Sequence, residues 1–499
     1  MMIASFNLEG SSSSSSAGQV VVVTTADEVV KNQQVSTAEV EASPERVALL
    51  SGWRQHNDIA SLAEVNSSVS VPNLDGKWYQ KFWAFAGLGF IISVAYMDPG
   101  NWATDLSGGA AFGYTLLSII LISNFTAIFL QSLSLKLGIV ANRDLAQACR
   151  DAYPVWLVYC LWIMMEIAIA ATDLAEVIGS AVALNLLFGI PVWSGVLITA
   201  VDTLFILVFG TKSFRSLEVI VFLLCALIAG VFAYELAVVK PEWVKVAAGL
   251  IPNPEIITNP DTLFNAIGIL GATVMPHSLF LHSSIIQTRA YPRTKEGQKM
   301  ALKYGRWDSG LSLMLAFFVN AAILILAAAA FHYGPNKNVR VANITQAYEL
   351  LAPALGSCAA KILFGVGLLA SGQNSTIIGT LAGQVVMEGF LQIRIKPWLR
   401  RLITRSIAII PAAIVAGVGG NSGAGRLLVL SQVILSFTLI FAVVPLVHFT
   451  SSQAKMGSFV NCWFTRIAAI LIAILIAGLN AYLIVQSIRL KSFGSAGNA

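Results

Sequence analysis

The chain contains eleven separate stretches of mostly apolar residues, each long enough to cross a bilayer as a helix. They lie near 82–112, 114–136, 155–188, 192–210, 216–239, 262–288, 308–332, 360–388, 402–420, 426–450 and 463–488. A helix needs about 20 such residues to span roughly 30 Å of hydrocarbon. In lipid every backbone polar group must be satisfied internally, as a helix does. Of the 499 residues, 56% are hydrophobic and 11% charged, against about 25% charged in a soluble domain. The expected fold is an all-α polytopic membrane protein with eleven transmembrane helices.

The basic residues divide unevenly over the loops. With the N terminus in the cytoplasm, 23 of the 31 Lys and Arg fall on the cytoplasmic side and 8 on the other. This is the bias that orients membrane helices. The C terminus then lies on the opposite side. Residues 1–76, with serine at every position from 11 to 16, read as a disordered cytoplasmic tail. Residues 77–488 form the transmembrane domain and 489–499 a short polar tail. Asn343-Ile344-Thr345, a glycosylation triplet, falls in a predicted outer loop. The five cysteines are scattered, with no CxxC pair, and read as packing residues rather than a disulfide framework or thiolate site. No dense basic patch points to nucleic acid, and no nucleophile–base pairing or phosphate loop points to an enzyme.

Two stretches are interrupted in their middle. The first holds Asp98-Pro99-Gly100-Asn101 and the sixth holds Met275-Pro276-His277. Proline removes a backbone donor and clashes with the turn before it. Carbonyls freed in this way, such as those of Ala272 and Thr273, survive in a membrane only where they line a cavity or meet an ion. The breaks lie five spans apart. That is the layout of an inverted five-plus-five repeat with discontinuous helices one and six around a midplane site.

The donor types narrow the cargo. Asp98 and Asn101 offer oxygen, Ala272 a freed carbonyl and Met275 a thioether. Magnesium and calcium favour all-oxygen sites, whereas a sulfur donor favours softer ions. The expected substrate is a divalent transition-metal ion such as manganese or ferrous iron. On the third stretch Glu166, Asp173 and Glu176 fall at i, i+7 and i+10, on one helical face. Carboxylates within a membrane commonly form proton relays or ion pairs. Arg405 is their candidate partner, and His277 can exchange protons near neutral pH. His282 is assigned to packing.

These residues resemble the natural resistance-associated macrophage protein family of divalent metal transporters. The resemblance rests on DPGNWATD at 98–105, ATDLAEVIG at 171–179, GATVMPHSLFLHS at 271–283 and SGQNSTIIGTLAGQVVMEGF at 371–390, and covers roughly 80–488. It implies an inverted-repeat fold of eleven or twelve helices and proton-coupled metal uptake into the cytoplasm, with no resident cofactor. Carried over, the ligands are Asp98, Asn101, the Ala272 carbonyl and Met275, with Gln432 added in closed states. The proton route is His277, Glu166, Asp173, Glu176 and Arg405. Two departures stand out. Ser278 occupies a position where the family has Asn, and Thr438-Leu439-Ile440-Phe441 replaces a Gln-Leu-Pro-Phe stretch. The alternative from the same architecture is a proton- or sodium-coupled symporter of a small organic solute.

Overall fold

The computed structural model describes residues 52–53, 61–72, 75–199, 214–334, 346, 358–395 and 397–496. The Ser-rich run, the sequon at 343–345 and most of the predicted fourth span lie outside these residues. The described chain is helical apart from a two-residue parallel bridge between β1 (Val69–Ser70) and β2 (Arg289–Ala290). The principal helices are α1 (Trp78–Phe85), α2 (Leu88–Val94), α3 (Pro99–Phe112), α4 (Leu117–Ala141), α5 (Leu145–Ala152), α6 (Val155–Phe188) and α7 (Phe214–Val239). They continue with α8 (Pro260–Thr273), α9 (Pro276–Ile285), α10 (Lys295–Ala327), α11 (Cys358–Leu391), α12 (Pro397–Thr450) and α13 (Trp463–Ala496).

The protein is an all-α polytopic membrane protein with multiple apolar spans. Among the described residues eight helical runs are long and apolar enough to cross a membrane. A ninth arises when Trp78–Met97 and Pro99–Phe112, bent by 52°, count as one broken span. Leu402–Val418 is a shorter apolar helix, and of the predicted 192–210 span only 192–199 is described.

Both predicted breaks are helix restarts. Asp98 has extended backbone (φ −72°, ψ 165°) and caps α3, its side chain accepting from the Asn101 amide, with Pro99 at the first helical position. Aspartate at the cap followed by proline is a favoured helix start, and a residue before proline is pushed out of the helical region. The second break follows the same logic. Val274 (φ −100°, ψ 85°) ends α8, Met275 is extended (φ −82°, ψ 129°) and Pro276 opens α9. The window containing this break is 89% buried inside the molecule, against 17% for the last span. The broken helix is therefore enclosed by its neighbours, while α13 turns Phe464, Leu471 and Ile474 outward, as a lipid-facing helix would.

Two features were not legible in the apolar pattern. The first span is bent again at Gly87, whose φ of +114° suits glycine, and a Cβ there would lie 2.7 Å from the Glu218 carboxylate. The predicted ninth and tenth spans join in one helical assignment, Pro397–Thr450. A Cβ on Gly423 would nevertheless sit 2.8 Å from the Val415 carbonyl, whereas eight residues of straight helix rise about 12 Å. Val415 and Gly423 are therefore in contact rather than separated along a straight rod.

Residues 61–72, assigned above to the tail by composition, pack against the helical domain. Leu62 donates its amide to Glu388 Oε2 at 3.2 Å, and Ser67 donates its amide to the Gln287 carbonyl at 2.9 Å.

Candidate cation site at the two helix breaks

The interrupted backbone is buried, and each freed carbonyl there needs a donor. At the first break Asn101 Nδ2 reaches the Ala95 carbonyl at 3.4 Å, Asn320 Nδ2 reaches Tyr96 at 2.7 Å, and Met97 accepts from both Trp102 Nε1 and Ser371 Oγ. At the second, Ser278 Oγ donates to the Met275 carbonyl at 2.8 Å. The breaks are joined through one side chain. Asn101 Nδ2 lies 2.6 Å from Asp98 Oδ1 and 3.1 Å from the carbonyl oxygen of Ala272. Asp98, Asn101, Ala272 and Met275 are all buried, Met275 being the capping residue at the start of α9.

Gln432 on α12 completes the cluster. A Cβ on Gly100 would collide with its side-chain amide, and a Cβ on Gly271 would meet its backbone carbonyl at 2.7 Å. Its side chain thus lies against the first break and its backbone against the end of α8. Asp98 Oδ2 and Gln432 Oε1 are both buried without a hydrogen-bond partner among the described residues. Such oxygens are costly in a low-dielectric interior unless something arrives to use them. The cluster holds a carboxylate, two amides, a released carbonyl and a thioether-bearing residue, with one formal negative charge.

The acidic face of α6 runs beside this cluster, Gly179 lying directly against the Pro99 ring. Thr172 Oγ1 is 3.4 Å from His277 Nδ1, so the residue next to Asp173 touches the histidine of the second break. Glu176 Oε2 accepts from Thr376 Oγ1 at 3.1 Å and lies 3.5 Å from Arg405 Nη1. Arg405, fully enclosed, also donates to Thr376 Oγ1 and to the Thr199 carbonyl. Glu166 pairs instead with Arg400, at 2.8 Å, and accepts from Trp162 Nε1. The single arginine expected from sequence is therefore two, each serving a different carboxylate.

A family model described as natural resistance-associated macrophage protein-like matches residues 89–486. The chain belongs to the natural resistance-associated macrophage protein family. It is 55% identical over 436 residues to the divalent metal cation transporter MntH of Listeria welshimeri, covering 87% of this chain and 97% of that one. It is 54% identical over 428 residues to MntH of a Nostoc species, covering 86% and 96%. The crystal structure of the Eremococcus coleocola manganese transporter in complex with an aromatic bis-isothiourea compound superposes with a TM-score of 0.80 at 40% identity. That match covers 88% of this chain and 96% of that one.

In this member of the natural resistance-associated macrophage protein family, sequence reading missed a polar chain leading away from Met275. Ser278 Oγ accepts from Gln131 Nε2 at 2.8 Å, Gln131 Oε1 is 2.9 Å from His282 Nδ1, and His282 Nε2 is 3.2 Å from Ser309 Oγ. His282, assigned above to packing, is thus hydrogen-bonded on both ring nitrogens. The available signal was Gln131 itself, a polar residue inside an apolar stretch. At the other departure from the family pattern, α12 passes through Thr438–Phe441 as unbroken helix, and Thr438 Oγ1 turns back to the Ile434 and Leu435 carbonyls.

Proposed function

We propose that this chain is a proton-coupled symporter of divalent transition-metal ions, manganese and/or ferrous iron, that moves metal into the cytoplasm. One observation carries the reading. The Asn101 amide bridges Asp98 and Ala272 across the two breaks while Asp98 Oδ2 and Gln432 Oε1 stand unsatisfied beside it. An amide turned over presents oxygen where it had presented N–H. Asn101 Oδ1, both Asp98 oxygens, the Ala272 carbonyl, Gln432 Oε1 and the Met275 sulfur then make a mixed donor set for a softer divalent ion. With one formal charge, the set binds such a cation without holding it permanently. The relatives support the cargo, one set being divalent metal cation transporters and the solved structure a manganese transporter.

The finer architecture belongs to the same proposal: eleven helices in an inverted five-plus-five repeat, with the N terminus cytoplasmic and the C terminus opposite. Metal reaches the midplane from outside and leaves toward the basic face when the helices around the breaks rearrange. The proton route involves Asp98, His277 and the α6 carboxylates Glu166, Asp173 and Glu176, with Arg405 beside Glu176. The buried contacts among Glu176, Thr376 and Arg405 support it, since they join the acidic face of α6 to α11 and α12 through polar groups.

The test is metal uptake by purified protein in liposomes with internal pH recorded. Manganese should enter with acidification, cadmium should compete and amino acids should not. Asp98→Ala should abolish uptake; near-normal transport by that variant, or competition by amino acids instead of cadmium, would refute the reading.

A further inference from the structure

One group of contacts lies away from the breaks. Residues 52–53 and 61–70 cross the face of the molecule formed by the ends of α4, α9, α11 and α12. Trp53 is seated among side chains of three separate segments. Lys455 Nζ stands 4.0 Å from the centre of its ring, the Arg143 guanidinium carbon 5.2 Å away, and the Phe449 ring 5.8 Å away at 55°. The same lysine donates to the Gly52 carbonyl at 2.5 Å. A Cβ at Gly52 would approach the Ala454 carbonyl at 3.0 Å, so the peptide lies flush on the short helix Gln453–Met456. Two cations and a ring around one indole form a cage selective for an aromatic side chain. Arg143 keeps its own counter-charge in Asp151 at 3.0 Å, and burial, then Arg143, holds the Lys455 ammonium below its usual range.

Further along, the segment makes backbone contacts. The Leu62 amide goes to Glu388 at the end of α11, and Glu388 is itself held by Gln384 Nε2 at 2.8 Å. The Ser67 amide goes to the Gln287 carbonyl, and Val69–Ser70 pair in parallel with Arg289–Ala290. Those partners directly follow α9, the second half of the broken helix. The strap therefore meets the end of the broken helix through main-chain bonds at Ser67 and at Val69–Ser70, α11 through the Glu388 carboxylate, and the segment after α12 through the Lys455 ammonium. Among the described residues of the strap, the Trp53 indole is seated in the charged cage and Leu62 in the hydrophobic core. Main-chain pairing supplies affinity and a pocketed side chain supplies specificity, as in strand-addition recognition.

We propose that this basic face carries a binding site for the chain's own N-terminal segment, with Trp53 as the anchoring ligand, and that the docked segment restrains the end of α9 against α11 and α12. As a restraint on opening toward this face, the site rests on the transport cycle proposed above; as a binding site it stands independently. The energetic logic is that of a tethered ligand, present at high effective concentration and so able to dock through modest contacts.

Hydrogen exchange of the full-length purified chain tests it, without metal and without any transport assay. In the wild type, amides at 67–70 and 286–290 should both be protected. Trp53→Ala should speed exchange about tenfold in both segments, while Trp53→Phe, which keeps a ring in the cage, should cost about threefold or less. Lys455→Gln should weaken protection in the same two segments. Exchange of 61–70 at the free-peptide rate in the wild type overturns the site. Unchanged protection in Trp53→Ala overturns the anchor. Loss at 67–70 with 286–290 unmoved overturns the restraint. Failure of metal uptake alone would touch the proposed function and leave this site standing.

Discussion

At the scale of single residues, the proposed cation site rests on donors of unequal softness held around one amide. Asp98 and Asn101 sit three residues apart on a helix start, so their geometry is local and the motif was enough to single them out. Met275 lies beside a proline in a second start, and its sulfur is the donor that magnesium and calcium reward least. Met275→Ala is expected to retain part of manganese uptake while losing discrimination against calcium and magnesium. Competition assays in liposomes check this, and continued exclusion of calcium would remove the thioether from the argument. Gly100 is constrained by contact, since any Cβ enters the space of the Gln432 amide. Gly100→Ala should cost about 1–3 kcal/mol as overpacking, read as a lowered midpoint of thermal unfolding in detergent. Gln432→Ser in the same chain should recover most of that loss, and no recovery would mean the contact is not the cause.

At the scale of elements, the two breaks are tolerated because other helices supply their missing donors. Asn320 on α10 and Ser371 on α11 cap the Tyr96 and Met97 carbonyls. Asn320→Ala should leave the Tyr96 oxygen without its donor and cost about 1–3 kcal/mol. Ser371→Ala should cost less, because Trp102 Nε1 still serves Met97. Thermal unfolding of the pair decides it, and equal losses would contradict the accounting. The short helix α5 carries a pH-dependent element. Asp144 caps it, accepting from the Gln147 amide at 2.9 Å, and burial pushes its carboxyl up to about 6 against the Gln147 bond that favours ionisation. A folded-state value above the unfolded one means the native state holds the proton more tightly between about pH 4 and 6. Stability from this group is therefore present below that window and falls as pH rises through it. Asp144→Asn keeps a good cap and should flatten the thermal midpoint between pH 4 and 6. An unchanged slope would assign the pH dependence elsewhere.

At the scale of the whole molecule, the proton route and the orientation are tested together. Asp173→Asn should reduce proton entry more than metal binding, seen as manganese uptake with weakened acidification. Unchanged pH dependence would exclude Asp173 from the route. The proposed orientation, which puts 23 basic residues on the cytoplasmic side and 8 on the other, predicts that residues 289–306 face the cytoplasm. Proteolysis or labelling of that segment in oriented vesicles should occur from the cytoplasmic side alone. Labelling from outside would reverse the direction of transport proposed here.

What the chain's sequence settled by itself was everything set by composition or by neighbours within one turn. The apolar runs gave the membrane class, because lipid admits no unsatisfied backbone. Asp98-Pro99 and Met275-Pro276 marked the breaks, because a residue before proline leaves the helical region wherever it stands. The tertiary structure decided what depends on approach between distant segments. Gln432 reached the site as a family resemblance, since nothing local marks a glutamine in an unbroken helix as a neighbour of Gly100. Arg400 and Arg405 were divided between Glu166 and Glu176 by packing, the Gly87 bend by Glu218, and the Trp53 cage by three segments. Short-range preference is written in adjacent residues; a hydrogen bond such as that from Asn101 to Ala272 exists only once the chain between them has folded.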